Sequence, residues 1–259
     1  MNGAGDIRPV LEAWPYDPVK NARVTRLDDG REVLQVRLPM GIEQYEMEGR
    51  PDGKRPHGME CSLDYYMSRL ARLQATGKAH EFRLDPRACQ ELYAEGVLYY
   101  YRYLHLFQLQ DWERTIRDTT RNLTLSDFVH QYAAEARDRK YLEQWRPYVT
   151  RMHAVASALA EVKRERHLKA LRIVHAAEAA IRDMPEMDDE SFRAERQRSL
   201  EILGQMATQI DKSRPLTEEE RLDTELRKAV ELEQFERAAE LRDRLRLLRL
   251  TQPHAAGKA

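Results

Sequence analysis

Beyond residue 60 the sequence keeps to one pattern: apolar residues recur every three to four positions among Ala, Leu, Glu and Arg. That period is helical, and the intervening residues are strong helix formers, so the greater part of the chain is expected to form amphipathic helices. No apolar run reaches the roughly 18 residues a membrane span needs. Helices with one apolar stripe must therefore pack on each other, and the fold class expected is mainly α.

Three stretches constrain how those helices connect. "QDWERTIRDTTRNL", "ERHLKALRIVHAAEAAI" and "EQFERAAELRDRLRLL" each place a polar turn before a ring, Trp112, His167 or Phe235, and a small residue three positions later, Thr115, Ala170 or Ala238. A ring in the corner and a small residue one turn on let antiparallel helices approach closely, so each stretch is read as the second helix of a hairpin. The small positions lie 55 and 68 residues apart. Tetratricopeptide arrays keep a period of about 34. The array is thus expected to be tetratricopeptide-like in kind and irregular in spacing. Helices are expected from Ser62, which is a candidate N-cap, at Cys89–Leu109, and at about Asp111–Asn122, Ser126–Gln144, Tyr148–Lys163, His167–Met184, Asp188–Ile210, Thr217–Leu232 and Phe235–Leu250. On the second of these, Leu92, Val97, Tyr100, Leu104 and Phe107 mark the expected buried face, and Tyr100 and Trp112 are expected in one helix contact.

The first 60 residues differ, holding most of the glycines and the turn chemistry. Asp29-Gly30 sits between two β-branched runs, the signal of a type I′ hairpin, with strands at about Ala22–Asp28 and Arg31–Leu38. Ile42, Tyr45 and Met47 suit a third strand, giving a small antiparallel meander. The loop "EGRPDGKRPHG" follows. The division expected is therefore a meander with a Gly/Pro-rich loop at 1–60, a helical-hairpin array at 61–212, a terminal hairpin at 216–250 and a disordered tail at 251–259.

Composition narrows the partners. Lys and Arg number 43 against 44 Asp and Glu, a net charge of −1, so no global field draws the chain to nucleic acid or membrane. The two cysteines, Cys61 and Cys89, form no CxxC pair, and the N-terminus lacks a basic region followed by an apolar run, so a cytoplasmic location is expected. The eight histidines form no HExxH and no acidic cluster at metal spacing. No catalytic residue, cofactor or metal is expected, and the chain is read as a non-enzyme. Arg50, Lys54 and Arg55, with His57 nearby, are candidate anion ligands on a glycine-rich backbone, although such a loop is more often a solvated connector. His57 near Cys61 lacks a third orienting group for nucleophilic catalysis. The run "YYYRYLHLF" could stack bases, with Arg102 beside them, yet its helical spacing favours a core role.

The segment "LTEEERLDTELRKAVELEQFERAAELRDRLRLLR", Leu216 to Arg249, resembles the UVR motif found in the excinuclease subunits UvrB and UvrC and in the stress-kinase adaptor McsA, above all in its run "FERAAELRD". "DDGREVLQVRLPMG" and "EGRPDGKRPHG" extend the resemblance to bacterial proteins described as UvrB/UvrC motif-containing. The resemblance implies an antiparallel helical hairpin used for protein–protein association, with Phe235, Glu236, Ala238, Ala239, Arg242 and Asp243 as partner-binding residues; no membrane partner is expected, given the near-zero net charge and the lack of a long apolar run. No GxxxxGKS or GxxxxGKT loop is present, so ATP-driven activity is not implied. Two readings stay open: an adaptor that docks a protein through residues 216–250, and a DNA-repair or nucleic-acid-associated factor recruiting excinuclease-type subunits. The hairpin could also pack on its own chain.

Overall fold

Gly30 sets the first turn. In the computed structural model, which describes residues 6–251, it alone of the turn residues has positive φ, 85°. The Gly30 N–H bonds to the Leu27 carbonyl at 2.9 Å and the Leu27 N–H to Arg31 at 2.8 Å. This is a three-residue loop with a left-handed glycine, where type I′ would have required Asp29 at positive φ as well. The loop joins β1 (Ala22–Arg26) to β2 (Glu32–Leu38), and β3 (Gly41–Glu46) completes an antiparallel sheet in the order β1-β2-β3. Val24 pairs with Leu34, and Leu34 with Tyr45. The central strand is buried on both faces, through Val33 and Arg37 on one and Leu34 and Val36 on the other. Arg37 donates to the carbonyls of Trp14 and Gly41, which fixes the segment after a short helix, α1 (Arg8–Ala13), against the sheet.

The helices that follow are α2 (Ser62–Ala75), α3 (Pro86–Gln108), α4 (Trp112–Tyr132), α5 (Ala136–Glu143), α6 (Arg146–Lys163), α7 (His167–Arg182), α8 (Glu190–Ser213), α9 (Glu218–Glu231) and α10 (Phe235–Thr251). The protein is mainly α, with the small sheet followed by helical hairpins. Two compact units divide it, Met1–Ile210 and Asp211–Ala259. Apart from Thr251, which ends α10, the tail expected at 251–259 lies outside the described residues.

Two expectations about α3 and α4 need correction. Asn122 to Ser126 does not break the chain into two helices, and α4 runs through it. The polar side chains bond where they stand: the Thr124 hydroxyl donates to the Thr120 carbonyl, and the Asn122 amide donates to Gly96 of α3 at 2.9 Å. The buried face of α3 is also rotated from the expected one. Leu92, Glu95, Gly96, Tyr99, Arg102, Tyr103 and Leu106 face inward, while Val97 is 49% exposed and Tyr100 half-buried. Two of the inward residues are charged, which displaced the apolar pattern.

Those charges form the polar seam of the first unit. The Glu95 carboxylate, fully buried, accepts from the backbone N–H groups of Ser62 (2.7 Å) and Leu63 (3.2 Å), from Arg50 (3.2 Å) and from Arg121. It caps α2 from a neighbouring helix, so Cys61 holds the N-cap position and Ser62 makes no side-chain cap. Two turns along α3, Arg102 forks onto Asp118 at 2.6 and 2.8 Å and donates to the carbonyls of Glu46 and Gly49. Both partners are 1% exposed. A separate core joins α6, α7 and α8 through Ala154, Ala158, Ala170, Val174, Ile181 and Leu203, where the alanines allow close helix approach.

Candidate functional site

The three stretches alike in sequence are alike in geometry. Each hairpin, α3–α4, α6–α7 and α9–α10, turns on one left-handed residue: Gln110 (φ 59°), Glu165 (φ 60°) or Glu233 (φ 54°). In each, the next N–H reaches back to close the preceding helix: Asp111 to Leu106 (2.9 Å), Arg166 to Glu161 (2.9 Å), Gln234 to Ala229 (2.8 Å). The left-handed residues themselves bond to Phe107, Val162 and Val230. This is the Schellman closure, three times, and it satisfies carbonyls the helix end leaves open. The small residues Thr115, Ala170 and Ala238 are all buried.

The rings do not share a fate. Trp112 is half-buried, its ring 5.3 Å from that of Phe107 and nearly perpendicular to it. Tyr100 contacts Tyr101, Tyr103 and Tyr148, so the two residues expected in one contact occupy separate ring groups. Leu109, three residues before Trp112 in the sequence, packs on the sheet core of Leu34, Val36, Tyr45 and Met47. His167 is half-buried. Phe235 is 70% exposed, and Val230 and Leu232 on the same turn are exposed with it.

The terminal hairpin is built around a thin core. Thr217 caps α9 by accepting from the Glu220 N–H at 3.2 Å, while Glu220 accepts from the Thr217 N–H at 2.8 Å, a complete capping box. Arg214 forks onto the same carboxylate, and that hydrogen bond is the main reason its pKa falls to about 2. Leu222, Ala229, Ala238, Leu241 and Leu245 fill the seam, with Leu226 and Leu248 at its edge. Leu241 joins the seam one turn after Ala238. Arg249 pairs with Glu219 at 2.8 Å across the two helices.

Of the partner-binding candidates, Phe235, Glu236, Arg242 and Asp243 are exposed, Ala239 is half-buried and Ala238 is buried in the seam. Among the described residues Arg242 forms its ion pair with its neighbour Asp243, at 3.0 Å. Leu247 and Leu250 are exposed as well, so α10 carries apolar residues outside the seam.

The loop after β3 holds its cations apart. Arg50 turns inward to Asp52 (2.9 Å), Glu95 and Ser62, whereas Lys54 and Arg55 are exposed. His57, at φ 53°, stacks on Tyr65 at 3.9 Å and meets Glu91 at 2.9 Å. Cys61 is buried, and burial raises its thiol pKa, the opposite of what a nucleophile requires. Among the described residues no group of three or more His, Cys, Asp or Glu is placed to hold a metal, and no helix is long and apolar enough to cross a membrane.

The family model of the UvrB/uvrC motif matches residues 220–250, which span most of α9, the turn and nearly all of α10. The terminal hairpin is therefore similar to a motif that suggests protein interaction or a role related to the UvrABC system. No curated protein and no solved structure matches the chain.

Proposed function

We propose that this chain is a non-enzymatic adaptor whose terminal hairpin, residues 216–250, docks on a partner protein. Phe235 carries the reading. Its counterpart Trp112 rests on Phe107, in a hairpin that packs on the sheet core, while Phe235, Val230 and Leu232 stand exposed on the same kind of turn. A patch of large apolar groups at the tip of a hairpin with so thin a core is the kind of surface that a partner covers. Phe235 supplies the anchor, Ala239 lets the partner approach, and Glu236, Arg242 and Asp243 orient it. Ala238 acts indirectly, by holding the hairpin closed. The two buried free cysteines suit a reducing cytoplasm.

Affinity capture in living cells with in situ cross-linking tests this. The full-length chain is expected to yield a specific cross-link at the hairpin that Phe235→Asp abolishes without changing the far-UV spectrum. Equal capture by the variant would count against the reading.

A second reading takes the motif match further: the partner is an excinuclease-type subunit, and the chain works beside nucleic acid. Lys54 and Arg55 are then the exposed cations to test. Affinity for short single- and double-stranded DNA should fall steeply with salt under this reading and be absent under the first.

A further inference from the structure

The run "YYYRYLHLF" divides between two sides of α3. Arg102 goes to Asp118, but Tyr100, Tyr101 and Tyr103 line a cavity of about 520 Å³ inside the first unit. Tyr141, Trp145 and Tyr148 line it as well. Clefts of roughly 300–1,000 Å³ with apolar walls and a few polar groups are the usual form of a small-molecule site. Tyr101, Tyr141 and Trp145 are large rings left about half exposed, an arrangement that core packing alone does not call for. The rings meet at steep angles, Tyr100 to Tyr103 at 87° and Tyr100 to Tyr148 at 57°, so the cavity is bordered by both faces and edges. Those are the two surfaces an inserted aromatic ring packs against.

Polar groups beside the cavity are incompletely matched. The Tyr103 hydroxyl is buried and finds no hydrogen-bond partner among the described residues. Glu195, on the lining, serves Arg151 at 3.5 Å. Arg151 is 6% exposed, its Nε is also without a partner, and its guanidinium lies 5.1 Å from the centre of the Tyr148 ring. Arg198, also on the lining, adds a second cation whose charge Arg151 feels. Arg151 takes the Glu195 carboxylate and occupies one ring face, Arg146 on the lining is matched by Glu143 and Asp127, and among the described residues Arg198 makes no ion pair. The local deficit is of negative charge, which argues against a cationic ligand and for an anionic one.

We propose that this cavity binds a flat aromatic or heteroaromatic small molecule carrying an acidic group. The ring enters among the tyrosines and Trp145, and the acidic group lies toward Arg198. The inference is independent of the docking hairpin, since every residue named belongs to the first unit.

Ligand-observed NMR on the full-length chain tests it with three probes of one shape: naphthoate, neutral naphthamide and a naphthyl-trimethylammonium cation. Naphthoate is expected to bind saturably and tightest. Arg198→Glu should weaken naphthoate roughly fivefold, as loss of an attraction and gain of a repulsion near the surface implies, and leave naphthamide within about twofold. Val97→Trp, an enlargement at an exposed lining position, should weaken both probes while the melting temperature is retained. Absence of saturable naphthoate binding, tighter binding of the cation, or indifference to Val97→Trp overturns the proposal.

Discussion

The first and last hairpins close on the same turn and are held by opposite means. In α3–α4 the seam contains two buried ionic clusters, Glu95 with Arg50 and Arg121, and Arg102 with Asp118, which also reach the loop after β3 and the start of α2. In α9–α10 the seam is wholly apolar, and the ion pairs joining the helices, Arg249 to Glu219 and Arg237 to Glu225, are exposed. A buried charge pair demands that all its partners stay in place, so it ties a hairpin to its surroundings. Exposed pairs contribute little and are weakened by salt. The first hairpin is therefore tied into its unit by buried charge, and the last is closed by an apolar seam of its own.

The sharpest way to break this contrast is to remove one member of the buried pair. Arg102→Ala leaves the buried Asp118 to the more exposed Arg117 and strips the Glu46 and Gly49 carbonyls of their donor, and should destabilise the first unit by about 3 kcal/mol in urea melts. A loss under about 1 kcal/mol would mean the seam is wet and the contrast is overstated. Next come the two rings. Trp112→Ala should lower stability by about 2 kcal/mol, less than for a fully buried tryptophan because its burial is incomplete, while Phe235→Ala should stay within about 0.5 kcal/mol. Equal effects would place Phe235 in a contact that the free chain already makes.

Smaller effects test the hairpin itself. Thr217→Ala removes the N-cap of α9 and should lower protection of the α9 amides by about 1 kcal/mol in hydrogen exchange, leaving α3 and α4 unchanged. The Glu220 pKa is lowered in the folded chain from 4.5 to about 2, so its stabilising contribution is complete above pH 4.5 and is lost as pH falls toward 2. Protection of α9 should therefore decline on acidification across that window, and Glu220→Gln should flatten the decline. An unchanged profile in the variant would assign the acid sensitivity elsewhere.

How much of this could be read from the sequence follows from the kind of interaction involved. Periodicity and turn residues gave the sheet, the hairpins and the terminal motif, because those depend on local preference. The Asp29-Gly30 signal located the turn yet missed its class, since one glycine at positive φ suits both loop lengths. The burial of Glu95 and Arg102 was hidden because a charged side chain reads as solvent-facing until its partners, here on α4 and the loop after β3, are known. Helix α1 was missed because six residues with proline at the start carry too little periodicity to detect. The tyrosine run was visible as a stripe, but the side on which Tyr100 and Tyr101 stand depended on where those hidden charges went.

The central claim is that the terminal hairpin is separable, and the most direct measurement is the chemical melt of a chain lacking residues 216–259. The account predicts a cooperative transition for the remaining residues, with a midpoint within error of the first-unit transition in the full-length protein and no aggregation. A truncated chain that aggregates, or that loses its cooperative melt, would show that the hairpin is part of the array's core and contradict the account.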